Sequence, residues 1–475
     1  MRNVAEALDR LAGLAASPPV AALASAFERA GFELALVGGP VRDAFLEREV
    51  QDLDFTTNAR PDDILRIVAP IASAHWDIGR EFGTIGAVVH GETVEITTYR
   101  ADAYNGESRK PVVAFGDSLD ADLMRRDFTV NAMALRVPAL TLVDPTGGVE
   151  DLIAGVLRCA ATADVSFGDD PLRMLRAARF TSQLGAQVSS DVRGAMERLA
   201  PDIDRISAER VRDELVKLLR TADPVPGLRL LVDTGLADRV LPELPALRLE
   251  RDEHHRHKDV YEHSLTVLAQ AIDYEASRGV LTSPDVVVRL AALLHDIGKP
   301  ATRRFEPGGA VSFYNHDLVG SRLAAKRLKA LRFDNETIAQ VARLIELHLR
   351  FFGYTDQHWS DSAVRRYVRD AGDQLERLHI LSRADVTTRN QRKADRLSFA
   401  YDDLESRIAE LAEAEELAAV RPELDGQQIM EILGVKPGRV VGEAYQFLLD
   451  LRLDEGPIGS DAARDRLLEW WAARA

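Results

Sequence analysis

Apolar residues recur at helical spacing through the first thirty positions: Val4, Leu8 and Leu11, then Leu23 and Phe27, on either side of Ser17-Pro18-Pro19. That spacing predicts helix over residues 1–30, interrupted by a loop at the two prolines. From Glu33 the pattern changes to short apolar runs. Leu34-Ala35-Leu36-Val37 reads as a strand, Gly38-Gly39 as a turn, Pro40 to Leu46 as a short helix and Asp52 to Thr56 as a second strand, with further strands at 83–89 and 93–98. Beyond Asp151 the period is helical almost throughout, at 171–184, 208–219, 260–276, 286–295, 318–331, 335–348 and 405–418. The pattern predicts an α/β head followed by a long helical body, with a boundary at the polar stretch Arg251–His257.

Length and composition narrow the class. At roughly 100–200 residues per domain, 475 residues suggest three or four domains. The balance of 60 Lys+Arg against 76 Asp+Glu, a net charge of −16, argues against indiscriminate binding to nucleic acid but leaves room for a local basic groove. A single cysteine, Cys159, excludes a disulfide framework and a cysteine-based zinc site, and points to the cytosol. Glu6 and Asp9 interrupt the stretch where a signal peptide needs an uncharged apolar core, and no apolar run reaches the roughly 18 residues of a membrane span.

The densest chemistry lies in Gly38-Gly39-Pro40-Val41-Arg42-Asp43 and Asp52-Leu53-Asp54. On a strand, Asp52 and Asp54 stand two apart and project from one face. Paired carboxylates repel each other, and a hard divalent cation such as Mg²⁺, shared with substrate phosphates, relieves the repulsion. The glycine turn lets backbone N–H groups approach a triphosphate. Glu95, on a neighbouring predicted strand, is a third acidic candidate. These parts suit cation-assisted nucleotidyl transfer. A bare D-x-D also fits the polar face of an edge strand, and Gly38-Gly39 an ordinary turn.

The wider pattern separates the two readings. LVGGPVRDAFLEREVQDLDFTT resembles the first signature of the class II tRNA nucleotidyltransferase family, the CCA-adding enzymes and their bacterial poly(A) polymerase relatives. Arg125-Arg126-Asp127-Phe128-Thr129-Val130-Asn131-Ala132 resembles its second signature, and Asp144-Pro145-Thr146-Gly147-Gly148 through Asp151-Leu152 its third. Asp169-Asp170-Pro171-Leu172-Arg173 and Ile206-Ser207-Ala208-Glu209-Arg210 resemble the fourth and fifth. The resemblance implies an α+β multidomain chain: a polymerase-β-type nucleotidyltransferase head followed by an all-helical neck, body and tail. Asp52 and Asp54 would bind the cation, and Gly38, Gly39, Arg42 and Asp43 the triphosphate. Arg125, Arg126, Asp127 and Asn131 would hold ribose and phosphates.

The fourth signature has its own physical logic. Asp170 and Arg173 lie three apart at a helix start and share a face, and Arg176 and Arg179 further along the same helix join them as candidate nucleotide-binding residues. A carboxylate accepts from the exocyclic amine of cytosine or adenine, while a guanidinium donates to the adjacent ring nitrogen. Uracil and guanine present the reverse pattern and would leave both groups unpaired. The same residues also read as a helix cap, Asp170, before an exposed basic face, Arg173, Arg176 and Arg179. Where the family usually has Glu before the Asp, this chain has Asp169. The stretch Tyr104–Pro111 resembles the family's loop that helps switch from C to A, and equally suits a plain surface loop.

Seven of the 11 histidines fall between His254 and His348. His263, the pair His295-Asp296, His316, His348 and Asp385 resemble the ligand series of the HD phosphohydrolase superfamily, which implies a second divalent metal and hydrolysis of phosphate esters. Asp425-Gly426-Gln427-Gln428-Ile429-Met430 and Lys436-Pro437-Gly438-Arg439 have the character of the family's tail. Basic clusters at Arg322/Lys326/Arg327/Lys329 and Arg389/Arg392/Lys393/Arg396 read either as phosphate tracks or as solvated faces.

The expected organisation is an N-terminal helical segment (1–30), head (31–150), neck with the base-recognition motif (151–250), HD domain (251–390) and helical RNA-binding tail (391–475). The expected activity is template-independent addition of C and A to tRNA 3′ ends from CTP and ATP with Mg²⁺. The rivals are a poly(A) polymerase with the same head and an HD phosphohydrolase whose head is not catalytic.

Overall fold

A computed structural model of the protein describes residues 4–50, 52–101, 114–248, 259–307, 311–351, 354, 359–387, 390–415 and 421–474. The loop Tyr104–Pro111, the stretch Arg251–His257, Arg389 and the last residues of the predicted helix 405–418 lie outside them. The chain divides into two compact units, Met1–Val240 and Leu241–Ala475.

In the first unit, α1 (Val4–Ala15) and α2 (Pro18–Arg29) meet at 73°, the two prolines opening α2 as the sequence predicts. Among the described residues no single helix is long and apolar enough to cross a membrane. A seven-stranded sheet follows, built from β1 (Leu34–Val37), β2 (Leu53–Thr57), β3 (Ala74–Trp76), β4 (Thr84–Val89), β5 (Glu92–Thr98), and, after the short pair β6 (Arg100–Ala101) and β7 (Ala114–Phe115), β8 (Ala134–Val137) and β9 (Thr141–Val143). Its order is β3-β4-β5-β2-β1-β8-β9, with β2 and β5 parallel and the other neighbours antiparallel. Every residue of β1 is buried, which is why it reads as a continuous apolar run rather than an alternation. α2, α3 (Gly39–Phe45) and α4 (Pro61–Val68) supply Leu23, Phe27, Val41 and Ile64 to the core around Leu36, Phe55 and Ile96. β2 begins at Leu53, so Asp52 precedes the strand instead of opening it.

α5 (Leu119–Met124), α6 (Gly148–Ala154), α7 (Ala163–Asp169), α8 (Leu172–Leu184), α9 (Ser190–Leu199) and α10 (Ala208–Leu219) complete the part that positions the site. Asp144 of the third motif caps α6, accepting from the N–H groups of Gly148 and Val149 at 2.7 and 2.9 Å. Asp151 accepts from Thr129 Oγ1 at 2.8 Å and pairs with Arg158. That motif therefore pins α6 to the turn carrying Asn131.

Among the described residues the second unit is helical but for a two-stranded hairpin, 304–305 with 311–312. α11 (Val225–Asp233) and α12 (Ala237–Val240) end the first unit; in the second, α13 (Val260–Arg278) holds His263, α16 (His316–Ala330) opens on His316, and His295 and His348 directly follow α14 (Val286–Leu294) and α17 (Asn335–Leu347), with the short α15 (Lys299–Thr302) between α14 and α16. The helix predicted at 405–418 is one long helix, Gln391–Glu415, because Leu397, Tyr401, Leu404 and Ile408 extend the buried stripe toward its N-terminus. In the tail, Asp425 and Gln428 form a reciprocal capping box and Ile429 enters a core with Leu448 and Leu467.

Candidate active site and metal centre

β1 ends at Val37, and Gly38 turns the chain with φ of +73°, a conformation that suits glycine. A Cβ at Gly38 would stand 3.4 Å from Arg126 Nη1, so the bare turn lets that guanidinium approach. α3 then presents Arg42, whose Nη1 donates to Asn131 Oδ1 at 2.7 Å and whose Nε and Nη2 donate to Asp43 at 2.9 and 3.0 Å.

The parallel pairing of β2 with β5 sets Asp54 directly opposite Glu95. Burial pushes the Asp54 carboxyl up to about 6, Glu95 and Asp52 push it the same way, and Arg126 and Arg42 pull against them. Asp54 lines two clefts. One, of about 350 Å³, is walled by Glu95, Arg100, Arg125, Arg126 and Arg173; the other, of about 440 Å³, by Gly39, Arg42, Asp43, Arg48 and Asp52. Asp54, with Asp52 and Glu95 beside it, offers carboxylate oxygens of the kind a divalent cation takes, and the surrounding arginines suit phosphates.

Behind the clefts runs a buried chain of charge. Asp127 accepts from Arg176 Nη2 and Nε at 2.6 and 2.8 Å and from Asn131 Nδ2 at 3.1 Å. Burial works against its charge, yet Arg176 and these hydrogen bonds hold the carboxyl below its ordinary value. Arg179 donates to Glu214 and Gln183, both at 2.7 Å. Arg42, Arg176 and Arg179 all place guanidinium groups over the Phe180 ring, Arg179 closest at 4.1 Å. The reading of Arg176 and Arg179 as an exposed basic face is thus corrected: Arg179 is 9% exposed, and both are held by buried carboxylates.

At the head of α8, Asp170 Oδ1 accepts from the Leu172 N–H at 3.2 Å while Oδ2 accepts from Arg210 of the fifth motif at 2.8 Å. Arg173 donates to Ser166 Oγ at 2.8 Å and to the Arg125 carbonyl at 2.9 Å. The cap and the link to the fifth motif coexist, and Arg173 ties the second motif to the fourth.

The six HD residues converge in the second unit, in two adjoining groups: His263, His295 and Asp385, then Asp296, His316 and His348. Asp296 stands between them, its Oδ2 3.2 Å from His295 Nε2 and its Oδ1 3.4 Å from His316 Nε2. Three of the four imidazoles donate Nδ1–H to a backbone carbonyl, His295 to Ala292, His316 to Phe313 and His348 to Ile345, and His263 Nδ1 is 3.0 Å from the Thr387 hydroxyl. That arrangement turns every Nε2 inward, the tautomer a metal needs. Among the described residues the Nε2 atom of His348 is buried without a hydrogen-bond partner. Burial and His295 push His348 down to about 4, keeping it neutral, while Asp385 is held near about 2, against burial, by the hydrogen bond from His263 and the neighbouring histidines. Gly298 makes the convergence possible: a Cβ there would lie 2.0 Å from the His316 carbonyl.

Comparison with known proteins places this geometry. Residues 34–158 match the Poly A polymerase head domain, 185–247 the probable RNA and SrmB-binding site of polymerase A, and 260–390 the HD domain. The A-adding tRNA nucleotidyltransferase of Deinococcus radiodurans is 34% identical over 447 residues, 92% of this chain and 95% of that protein. The chain belongs to the tRNA nucleotidyltransferase family. The CCA-adding enzyme of Latilactobacillus sakei is 40% identical over 227 residues, 47% of this chain and 56% of that protein. In fold, the chain is similar to the Bacillus stearothermophilus CCA-adding enzyme in complex with CTP, with TM-score 0.70, 23% identity and coverage of 96% and 99% of the two chains. It is also similar in fold to the Thermotoga maritima CCA-adding enzyme complexed with tRNA, with TM-score 0.61, 18% identity and coverage of 98% of each.

For a member of this nucleotidyltransferase family, the sequence motifs leave several site residues unannounced. Asp122, Glu214 and Arg100 reach the clefts or the charge chain without standing in any of the five signatures. Asp122 carried one legible signal, its spacing of four from Arg126.

Proposed function

We propose that the protein adds C and A to tRNA 3′ ends from CTP and ATP, releasing pyrophosphate, without a nucleic-acid template and in the cytosol. The observation that carries this is Asp54, flanked by Asp52 and Glu95 and set between a glycine turn and an arginine-walled cleft. Asp52, Asp54 and Glu95 would hold Mg²⁺, which when bound activates the terminal hydroxyl of the RNA and offsets charge on the pyrophosphate. Gly38, Gly39 and Arg42 orient the triphosphate, and Asp43 fixes Arg42 through its two hydrogen bonds. Arg125 and Arg126 offset phosphate charge, while Asp127 and Asn131 keep Arg176 and Arg42 in place behind them. Asp170 and Arg173, released toward an incoming base from Arg210 and Ser166, supply the acceptor and donor that match C and A; Arg176 and Arg179 brace their helix against Asp127 and Glu214. In this reading residues 31–150 act as head, 151–250 as neck, 251–390 as HD domain and 391–475 as RNA-gripping tail, after the N-terminal segment 1–30.

The relative matched along nearly the full chain is an A-adding enzyme, so addition of A alone to tRNA ending in CC is the second reading. Incorporation of each labelled nucleotide into transcripts ending before CCA and after CC separates the two. Extension by C, C and A supports full addition; A added only after CC supports the second; an unlimited ATP ladder makes the protein a poly(A) polymerase, and no extension overturns the proposal.

The HD centre supports a metal-dependent phosphohydrolase as a separate activity. His263, His295, Asp296, His316, His348 and Asp385 would hold a second divalent metal, which when bound would supply an activated water for hydrolysis of phosphate esters.

A further inference from the structure

Asp122 is a buried carboxylate, 4% exposed, on α5 at the wall of the arginine cleft. It collects hydrogen bonds from three separate pieces of chain. Its Oδ2 accepts from Arg126 Nη2 at 3.3 Å and from the Thr56 hydroxyl, which it shares with the Thr97 carbonyl, at 3.2 Å, and its Oδ1 accepts from the Arg100 backbone N–H at 3.1 Å. Thr56 stands two residues beyond Asp54 on β2, so the two side chains leave the strand on the same side. Arg100 follows β5, the strand of Glu95, and opens β6. One carboxylate therefore ties together the strand of Asp54, the end of the strand of Glu95 and the guanidinium that reaches toward Gly38.

Arg126 needs such an anchor. Its Nη1 lies beside the glycine turn, and its Nε is buried without a hydrogen-bond partner among the described residues. A long side chain in a cleft loses affinity for an anion when it must be ordered on binding, and a fixed partner removes that cost beforehand. Arg100 and Arg125 repel charge of their own sign, an effect that together with burial lowers Arg100, so an unanchored Arg126 would swing away from the cleft.

We infer that Asp122 is a positioning residue for nucleotidyl transfer, holding Arg126 over the Asp54 cleft so that it meets the nucleotide's phosphates already oriented. The assignment rests on the transfer reading above. Because Asp122 acts through Arg126, its effect must vanish when Arg126 is gone, which a residue that merely stabilises the fold would not do.

The experiment is a double-mutant cycle with D122N and R126Q in the full-length protein, reading kcat/KM for CTP and ATP on a tRNA transcript. Each single variant is expected to lower kcat/KM about tenfold or more, and D122N to add less than about twofold in the R126Q background. Losses that multiply overturn the assignment. T56V loosens the same carboxylate without removing a charge; its smaller loss should also disappear beside R126Q, and this second cycle decides the matter if D122N does not fold. Inactive wild-type protein would overturn the transfer reading and this assignment with it, whereas active wild type with multiplying losses overturns this assignment alone.

Discussion

Asp54 and Glu95 face one another across the single parallel strand pair in the sheet, one from β2 and the other from β5. Residues in register on neighbouring strands point to the same side, so the pairing brings together two carboxylates 41 positions apart in the chain. Their repulsion, added to burial, is what raises Asp54 to about 6.

Glu95→Gln should lower the Asp54 carboxyl toward its ordinary value and at the same time remove a cation ligand. Mg²⁺ titrations of incorporation are expected to show a half-saturation concentration about tenfold higher or more, since one carboxylate of three is lost. An unchanged Mg²⁺ dependence would confine Glu95 to the fold. Asp52→Ala should abolish incorporation while sparing any phosphohydrolysis, and His295→Ala should do the reverse.

A cation must displace the proton from Asp54. The carboxyl is raised from 3.8 to about 6, so the metal-free site is protonated below that value and ionised above it. Apparent Mg²⁺ affinity, measured by titrating incorporation at a series of pH values, is expected to fall about tenfold per pH unit below 6 and to level off about one unit above it. A flat profile down to pH 5 contradicts the raised value.

Arg176→Ala leaves Asp127 buried opposite an empty position. Loss of one partner of a buried pair costs about 3–5 kcal/mol, and urea unfolding should register it. Because Asp127 titrates below its ordinary value when folded, the pair's stabilisation is present above the ordinary carboxylate range and is lost as pH falls through the lowered value. The wild-type and variant stabilities should therefore converge in acid.

Arg173→Ala removes the donor that matches C and A. The loss in kcat/KM for CTP and ATP is expected at about 10- to 100-fold, the worth of a hydrogen bond to a charged group, with a smaller change for UTP and GTP. Equal losses for all four nucleotides would assign Arg173 to its bonds with Ser166 and Arg125 alone.

Metal content separates the two ligand groups of the HD centre. Elemental analysis of metal-loaded Asp52→Ala protein, which lacks a head ligand, is expected to show metal retained by the HD centre, with less in the added His348→Ala variant and least in Asp296→Asn, whose oxygens face both groups. Gly298→Ala should lose metal as well, because its Cβ would collide with the His316 carbonyl.

Much of this was legible in the chain. The apolar runs located β1, β2, β4 and β5, helical periodicity located α8, α10, α13, α14, α16 and α17 within a few residues, and the motifs named Asp52, Asp54 and the six HD residues. These features are local, set by spacing of two or 3.6 residues, so a window of sequence contains them. Strand pairing is not local. The register that sets Glu95 beside Asp54, the burial that turns Arg176 and Arg179 inward toward Asp127 and Glu214, and the carboxylate of Asp122 reaching three segments at once depend on which distant positions fold into contact. The sequence by itself determined the residue types and the order of the motifs; tertiary structure decided which of them face one another, are buried together or share a hydrogen-bond partner, because those couplings act over a few ångströms of space between residues far apart along the chain.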